Sequence, residues 1–258
     1  MNDTKKTAGV LGGMGPEATV DFMGKVIAMT EAGRDQDHVR MLIDHNPQVP
    51  NRQDAILRGG EDPGPVLAAM AAGLEASGAD FLVIPCNTAY VYQDAILAAT
   101  HIPLISIIGV SIAAVTERAP QATRIGVLAT KGCLEAGVYQ SGLEEAGLEA
   151  ELPTKEELGE LMTLVKAIKG GKRTEDTARG MAALAEALAS RGAGAIIAGC
   201  TEIPLVLDEG AVSVPLVSST DALAEITVKL ATGEIPLPLS LIHISEPTRL
   251  LVQSRMPS

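Results

Sequence analysis

Apolar residues gather in short runs of strand length, separated by stretches in which they recur every three or four positions. The short runs fall at 7–11, 39–44, 81–84, 104–107, 124–129, 149–152, 195–198 and 212–217. Runs of this kind, bounded by turn residues, predict strands buried on both faces. The helical spacing predicts helices over 18–31, 63–77, 90–100 and 109–118, then from the turn at 130–133 to 146, and over 156–169, 174–191 and 222–231. Pro16 sits where a helix tolerates proline, in its first turn, with Glu17 well placed at the positive end of the helix dipole. Strands alternating with helices predict parallel sheets covered on both faces.

One phrase occurs twice. Phe81-Leu82-Val83-Ile84-Pro85 ends in Cys86-Asn87-Thr88, and Ala195-Ile196-Ile197-Ala198-Gly199 ends in Cys200-Thr201-Glu202. Each reads as a buried strand whose carboxyl end presents a thiol beside a hydroxyl, and that end of a strand is where open α/β sheets bind ligands. The repeat predicts two related α/β domains and one site built from two halves. A single free cysteine is more often a small buried hydrophobe than a reactive group. Two thiols at strand ends, each followed by a hydroxyl near an expected helix start, favour function, because a helix N-terminus lowers a thiol pKa. Paired thiols suit removing a proton from one face of a carbon and returning one to the other. Cys133 has no such repeat and reads as incidental.

The remaining candidates lie at other turns. Gly12-Gly13-Met14-Gly15 is neither a dinucleotide fingerprint nor a P-loop, since no third glycine or Gly-Lys follows at the needed offset. It is a loop of backbone N–H groups before a helix, able to hold a carboxylate, though a tight turn needs the same glycines. Arg52 ends a loop stiffened by Pro47 and Pro50, which makes a bidentate carboxylate clamp credible beside the plainer reading of a surface charge. Thr130 follows the strand at 124–129 and is the second half's counterpart of the glycine loop. Lys169 and Lys172 flank Gly170-Gly171; one of them could reach a site.

Composition narrows the function classes. The net charge of −12 and an aromatic content of 2% disfavour nucleic-acid binding, which needs cationic surface and stacking rings. An anionic substrate would need a locally positive pocket. Three scattered cysteines suit a reducing cytosol rather than a disulfide framework, and no His/Cys cluster has zinc spacing. No apolar run is long enough to span a bilayer, and the N-terminus lacks a signal-peptide core, so the expectation is a soluble cytoplasmic protein without membrane partners.

Five ordered stretches then carry a resemblance: Leu11 to Thr19, Asn46-Pro47 through Pro50-Asn51-Arg52, Pro85-Cys86-Asn87-Thr88-Ala89, Leu128-Ala129-Thr130, and Gly199-Cys200-Thr201-Glu202-Ile203-Pro204. Together they are similar to the aspartate/glutamate racemase family, in particular its aspartate racemase branch, over about residues 7–232. The resemblance implies an α/β fold of two pseudo-symmetric domains, each a parallel sheet flanked by helices, with the active site in the interdomain cleft. It implies a first domain of 1–103 plus 213–238, to which the last strand and helix return, and a second of 104–212. It also implies no cofactor and a homodimer. Cys86 and Cys200 would be the paired acid/base thiols, Cys86 for the D-enantiomer and Cys200 for the L-enantiomer of aspartate. Asn87, Thr88, Thr130 and Thr201 would hold the α-carboxylate, and Met14 would add backbone contact. Arg52, with Lys169, would bind the side-chain carboxylate, and Glu202 belongs to the same substrate-binding set.

Glu202 stands where glutamate racemases resemble Gly-Cys-Thr-His, which argues against that branch. Tyr90 stands where many members have His, and Cys133 where Thr is common, so these touch substrate preference rather than reaction. The competing readings are a broad-specificity amino-acid racemase, a hydantoin racemase or maleate isomerase, and a non-catalytic dicarboxylate binder. Residues 239–258 break the pattern: Leu239 to Arg249 resembles the translation of a sequencing adaptor, so that tail, His243 included, is expected to be non-native and outside any site.

Overall fold

The structure, a computed structural model, describes residues 5–237; the expected tail at 239–258 lies outside the described residues. In chain order the elements are β1 (Ala8–Gly12), α1 (Pro16–Met29), β2 (Met41–His45), α2 (Arg52–Arg58), α3 (Gly64–Ala76), β3 (Phe81–Val83), α4 (Gln93–Leu97), β4 (Leu104–Ile105) and α5 (Ile107–Arg118). There follow β5 (Arg124–Ala129), α6 (Lys131–Glu135), α7 (Val138–Glu145), β6 (Glu149–Glu151), α8 (Lys155–Lys169), α9 (Glu175–Ser190), β7 (Ala195–Gly199), β8 (Leu216–Ser218) and α10 (Ser219–Thr232). They make two parallel four-stranded sheets flanked by helices, ordered β2-β1-β3-β4 and β6-β5-β7-β8. The chain divides into one compact unit at 5–107 with 220–237 and another at 108–219.

Two strands sit in the other sheet from the one expected. β4, expected to open the second domain at 104, pairs with β3 through Leu82↔Leu104 and Val83↔Ile105. β8, expected to return to the first domain, pairs with β7 through Ile196↔Leu216 and Ile197↔Val217, and Leu216 joins the aliphatic core there. Each short apolar strand is satisfied by the neighbour just before it in the chain. The return to the first unit begins with α10, not with β8. Its Ala231 carbonyl accepts the Lys6 N–H at 2.8 Å, and its Asp221 pairs with Lys25 at 2.6 Å.

Helix boundaries also differ. Arg52 opens α2 rather than ending a loop, because the Asn51 side chain caps the helix by accepting the N–H groups of Gln53 (2.9 Å) and Asp54 (3.3 Å). The helix expected at 90–100 is a 3-10 segment, Asn87–Tyr92, followed by the single turn and a half of α4. The helix expected to reach 146 is broken into α6 and α7 at Gly137. With few aromatics, both cores are aliphatic, and Phe22, Phe81 and Tyr139 are the fully buried rings. Among the described residues no helix is long and apolar enough to cross a membrane.

Candidate active site

Both sheets repeat one topology. From β1 the chain steps to β2 on one side and then back across to β3 on the other, and β5, β6 and β7 do the same. Ligands of open α/β sheets bind outside the carboxyl ends of the strands where the winding reverses. Four segments stand at those ends: Gly12-Gly13-Met14-Gly15 after β1, Cys86-Asn87-Thr88 shortly after β3, Thr130 after β5, and Cys200-Thr201-Glu202 after β7. All the polar residues predicted from these turns are buried, with Cys86 7% and Cys200 5% exposed.

In the first unit the glycine loop is held from two sides. Gly13 has φ +93°, and a Cβ there would stand 2.4–2.7 Å from the backbone of Asn46, so the loop after β2 passes where a side chain would be. Thr19, on α1, accepts the Gly13 N–H at 2.8 Å and donates its hydroxyl to the Gly15 carbonyl at 3.1 Å. Arg52 donates to the carbonyls of Val49 (3.0 Å), Pro50 (2.9 Å) and Met14 (3.5 Å). A guanidinium has five donors, so Nε and one Nη2 hydrogen lie outside this set. The next residue, Gln53, donates to the Thr88 hydroxyl at 3.5 Å, so the start of α2 joins the glycine loop to the turn that carries Cys86. Tyr90 buries its ring behind that turn and donates its phenol to the Ile105 carbonyl, tying the 3-10 segment to β4; burial pushes its pKa upward.

In the second unit the Cys200 thiol donates to Glu202 Oε2 at 3.0 Å, and the other oxygen of that carboxylate pairs with Lys169 Nζ at 3.0 Å. Glu202 is 4% exposed, whereas the Lys169 side chain at the end of α8 is 43% exposed. Burial pushes the Cys200 thiol well above the ordinary thiol range; the Glu202 carboxylate adds to this, and Lys169 opposes it. The expected lowering by a helix N-terminus is therefore reversed at Cys200. A turn and the 3-10 segment Ile203–Leu205 follow it instead of an α-helix, and a carboxylate faces it. Tyr139 of α7 lies against Gly199, where a Cβ would stand 2.7 Å from its Cε2 atom. Ser219 Oγ donates to the Ala198 carbonyl at 2.8 Å, fixing the end of β7 to the first residue of α10.

Four of these relationships carry no pairing signal in the sequence. Thr19 lies inside the Leu11–Thr19 stretch but its hydroxyl had no assigned role, and Gln53 directly follows Arg52. Tyr139 carries no local signal. Lys169 and Glu202 both belong to the expected substrate-binding set, yet here they pair with each other. Among the described residues no cluster of His, Cys, Asp or Glu could hold a metal ion.

Two units of one topology, each with a buried thiol at the same strand end, define a protein of the two-domain α/β racemase fold. The structure resembles Picrophilus torridus aspartate racemase with a TM-score of 0.78 at 25% identity, over 90% of this chain and 96% of that one. It resembles a glutamate racemase isoform of Bacillus anthracis with a TM-score of 0.64 at 17% identity, over 92% and 85%. The chain belongs to the Asp/Glu/Hydantoin racemase family, whose model matches residues 11–227. It is 32% identical over 225 residues to the broad specificity amino-acid racemase RacX of Bacillus subtilis (strain 168), covering 85% of this chain and 96% of that one.

Proposed function

We propose that this protein is an amino-acid racemase that interconverts L- and D-aspartate without a cofactor, using Cys86 and Cys200 as its two acid/base groups. The observation that carries the reading is the repeat itself: a buried thiol at the same strand end in both units, beside Asn87-Thr88 in one and Thr201-Glu202 in the other. One sulfur, as thiolate, takes the α-proton; the Cα–H electron pair stays on carbon, and the other thiol gives a proton to the opposite face. With no ring to absorb that electron pair, hydrogen-bond donors have to stabilise the carbanion. The Asn87 amide, the hydroxyls of Thr88, Thr130 and Thr201, and the N–H groups of the Met14 loop are the donors assigned to it. Arg52 is assigned to the side-chain carboxylate through its Nε and remaining Nη2 hydrogens. The family resemblance adds the expectation of a homodimer.

Incubation with L-aspartate in D2O tests this directly. Deuterium at Cα together with D-aspartate is expected, and absence of both removes the racemase reading. Cys86→Ala and Cys200→Ala are each expected to abolish racemisation; full activity in either removes that cysteine from the reaction.

A second reading is a racemase of broad specificity. It is favoured by the similarity to RacX and by the engagement of both cations assigned to a second carboxylate, Arg52 by backbone carbonyls and Lys169 by Glu202. Initial rates on aspartate, glutamate, alanine and a basic amino acid separate the two readings: comparable rates on neutral and acidic substrates favour the second.

A further inference from the structure

One of the two thiols has a buried carboxylate behind it. Glu202 Oε2 lies 3.0 Å from the Cys200 sulfur, inside hydrogen-bond range for a sulfur donor, and Lys169 holds Oε1 at 3.0 Å. Among the described residues no carboxylate hydrogen-bonds the sulfur of Cys86. A carboxylate that is itself 4% exposed, with one oxygen on a thiol and the other on an ammonium, is poorly disposed to bind a substrate anion. It is well disposed to manage a proton.

On the racemase reading above, we propose that Glu202 is the positioning residue of Cys200: its carboxylate orients the S–H group, accepts that proton when the sulfur acts as base, and has Lys169 as its counter-charge. The step balances as an internal transfer. The S–H bond breaks with its electrons left on sulfur, an O–H bond forms on Oε2, and the pair keeps its single negative charge. The thiolate then takes the α-proton, and the S–H bond re-forms. A buried thiol that rests protonated thus gains base capacity without first losing a proton to solvent. The two thiols are then unequal: among the described residues, a carboxylate relay stands beside Cys200 and not beside Cys86.

Among the described residues three ionisable groups face Cys200: Glu202 from its own turn, Lys169 from α8 and Tyr139 from α7. The phenol of Tyr139 is fully buried and its pKa is pushed upward, so it stays neutral across the thiol range and leaves two charges of opposite sign to act.

The test is alkylation of the full chain by iodoacetamide from about pH 6 to 10, read separately at the Cys86 and Cys200 peptides by mass spectrometry. In the wild type the Cys200 midpoint is expected above the ordinary thiol value of about 8.5. Glu202→Gln removes the negative charge and is expected to lower that midpoint by about one unit, whereas Lys169→Met removes the positive one and is expected to raise it by about half a unit. The Cys86 midpoint is expected to stay put in both. Should the glutamine variant fail to fold, Lys169→Met carries the test alone through the sign of its shift. An unmoved Cys200 midpoint, or an equal shift at Cys86, overturns the proposal. The second readout is the pH profile of kcat/KM. The wild type is expected to stay active below the Cys200 midpoint, and Glu202→Gln to fall at least about tenfold at neutral pH and to follow that midpoint instead. Because enantiomers are equal in energy, the loss must be the same from L- and from D-aspartate. Shifted midpoints in a protein that racemises nothing overturn the proposed function and leave the thiol–carboxylate coupling standing. Racemisation with unmoved midpoints overturns this inference alone.

Discussion

Thr19 and Gly13 are joined through a single oxygen: the hydroxyl that accepts the Gly13 N–H at 2.8 Å also donates to the Gly15 carbonyl at 3.1 Å. A side chain on the first turns of α1 thereby fixes both ends of the Met14 peptide segment. Thr19→Val keeps the shape and removes the hydroxyl, leaving a buried N–H without its acceptor. The expected loss is about 1–3 kcal/mol in urea unfolding, with a raised KM because the loop's N–H groups lose their aim. Thr19→Ser is expected to restore most of both. Equal losses in the serine and valine variants would mean that the methyl group, not the hydroxyl, holds the loop.

Gly199 and Tyr139 make a comparable pair behind Cys200. A Cβ on residue 199 would stand 2.7 Å from Tyr139 Cε2 and 3.2 Å from the Cβ of Ala129, and the ring is fully buried. Gly199→Ala is therefore expected to overpack the site at a cost of about 1–3 kcal/mol, and to lower kcat because the displaced backbone carries the thiol. Adding Tyr139→Leu makes room, so the double variant is expected to unfold at higher urea than Gly199→Ala alone. Additive losses in that comparison exclude a clash as the cause.

The halves of the fold were legible because each thiol closes an apolar run, and period-two or continuous burial along a strand is a local pattern. The strand placements of β4 and β8 were not, since nothing in Leu104-Ile105 or Leu216-Val217 states which sheet edge they extend. Helix α2 was hidden for a related reason. Its seven residues bury no complete face, and its start is set by the Asn51 cap rather than by hydrophobic spacing. At the site, residue types could be read but partners could not. Lys169 and Glu202 are far apart in sequence, each looked like a substrate contact, and only the fold brings them together. The expected thiol pKa shift is reversed for the same reason: a strand end before a turn is legible in the sequence, but the burial of Cys200 and the carboxylate facing it are set by the fold.

That reversal has a consequence for stability. The Cys200 thiol binds its proton more tightly in the folded chain than in the unfolded one, so its contribution is fully present below the unfolded thiol pKa of about 8.5 and is lost as pH rises. Urea unfolding is expected to show stability falling with pH above about 8.5, and Cys200→Ala is expected to flatten that slope. The window has to close below about pH 10, where the buried phenols of Tyr90 and Tyr139 begin to add a slope of the same sign. An unchanged slope in the alanine variant would assign the alkaline loss to other groups.

Arg52 serves the loop and is assigned to the substrate, and the two contributions separate by experiment. Its bonds to the carbonyls of Val49, Pro50 and Met14 support the loop whatever amino acid is bound. Its Nε and second Nη2 hydrogens matter only if the substrate brings a side-chain carboxylate. Arg52→Ala is therefore expected to lower stability, and also to raise KM for aspartate at least about tenfold more than for alanine, the difference expected of one charged hydrogen bond of about 1.5–3 kcal/mol. Where alanine is bound but not turned over, its inhibition constant replaces KM in the ratio. Arg52→Lys keeps the charge but loses the planar fork, so it is expected to recover part of the aspartate preference and little of the loop support. A KM that rises equally for both amino acids would confine Arg52 to the loop and leave the broad-specificity reading as the stronger one.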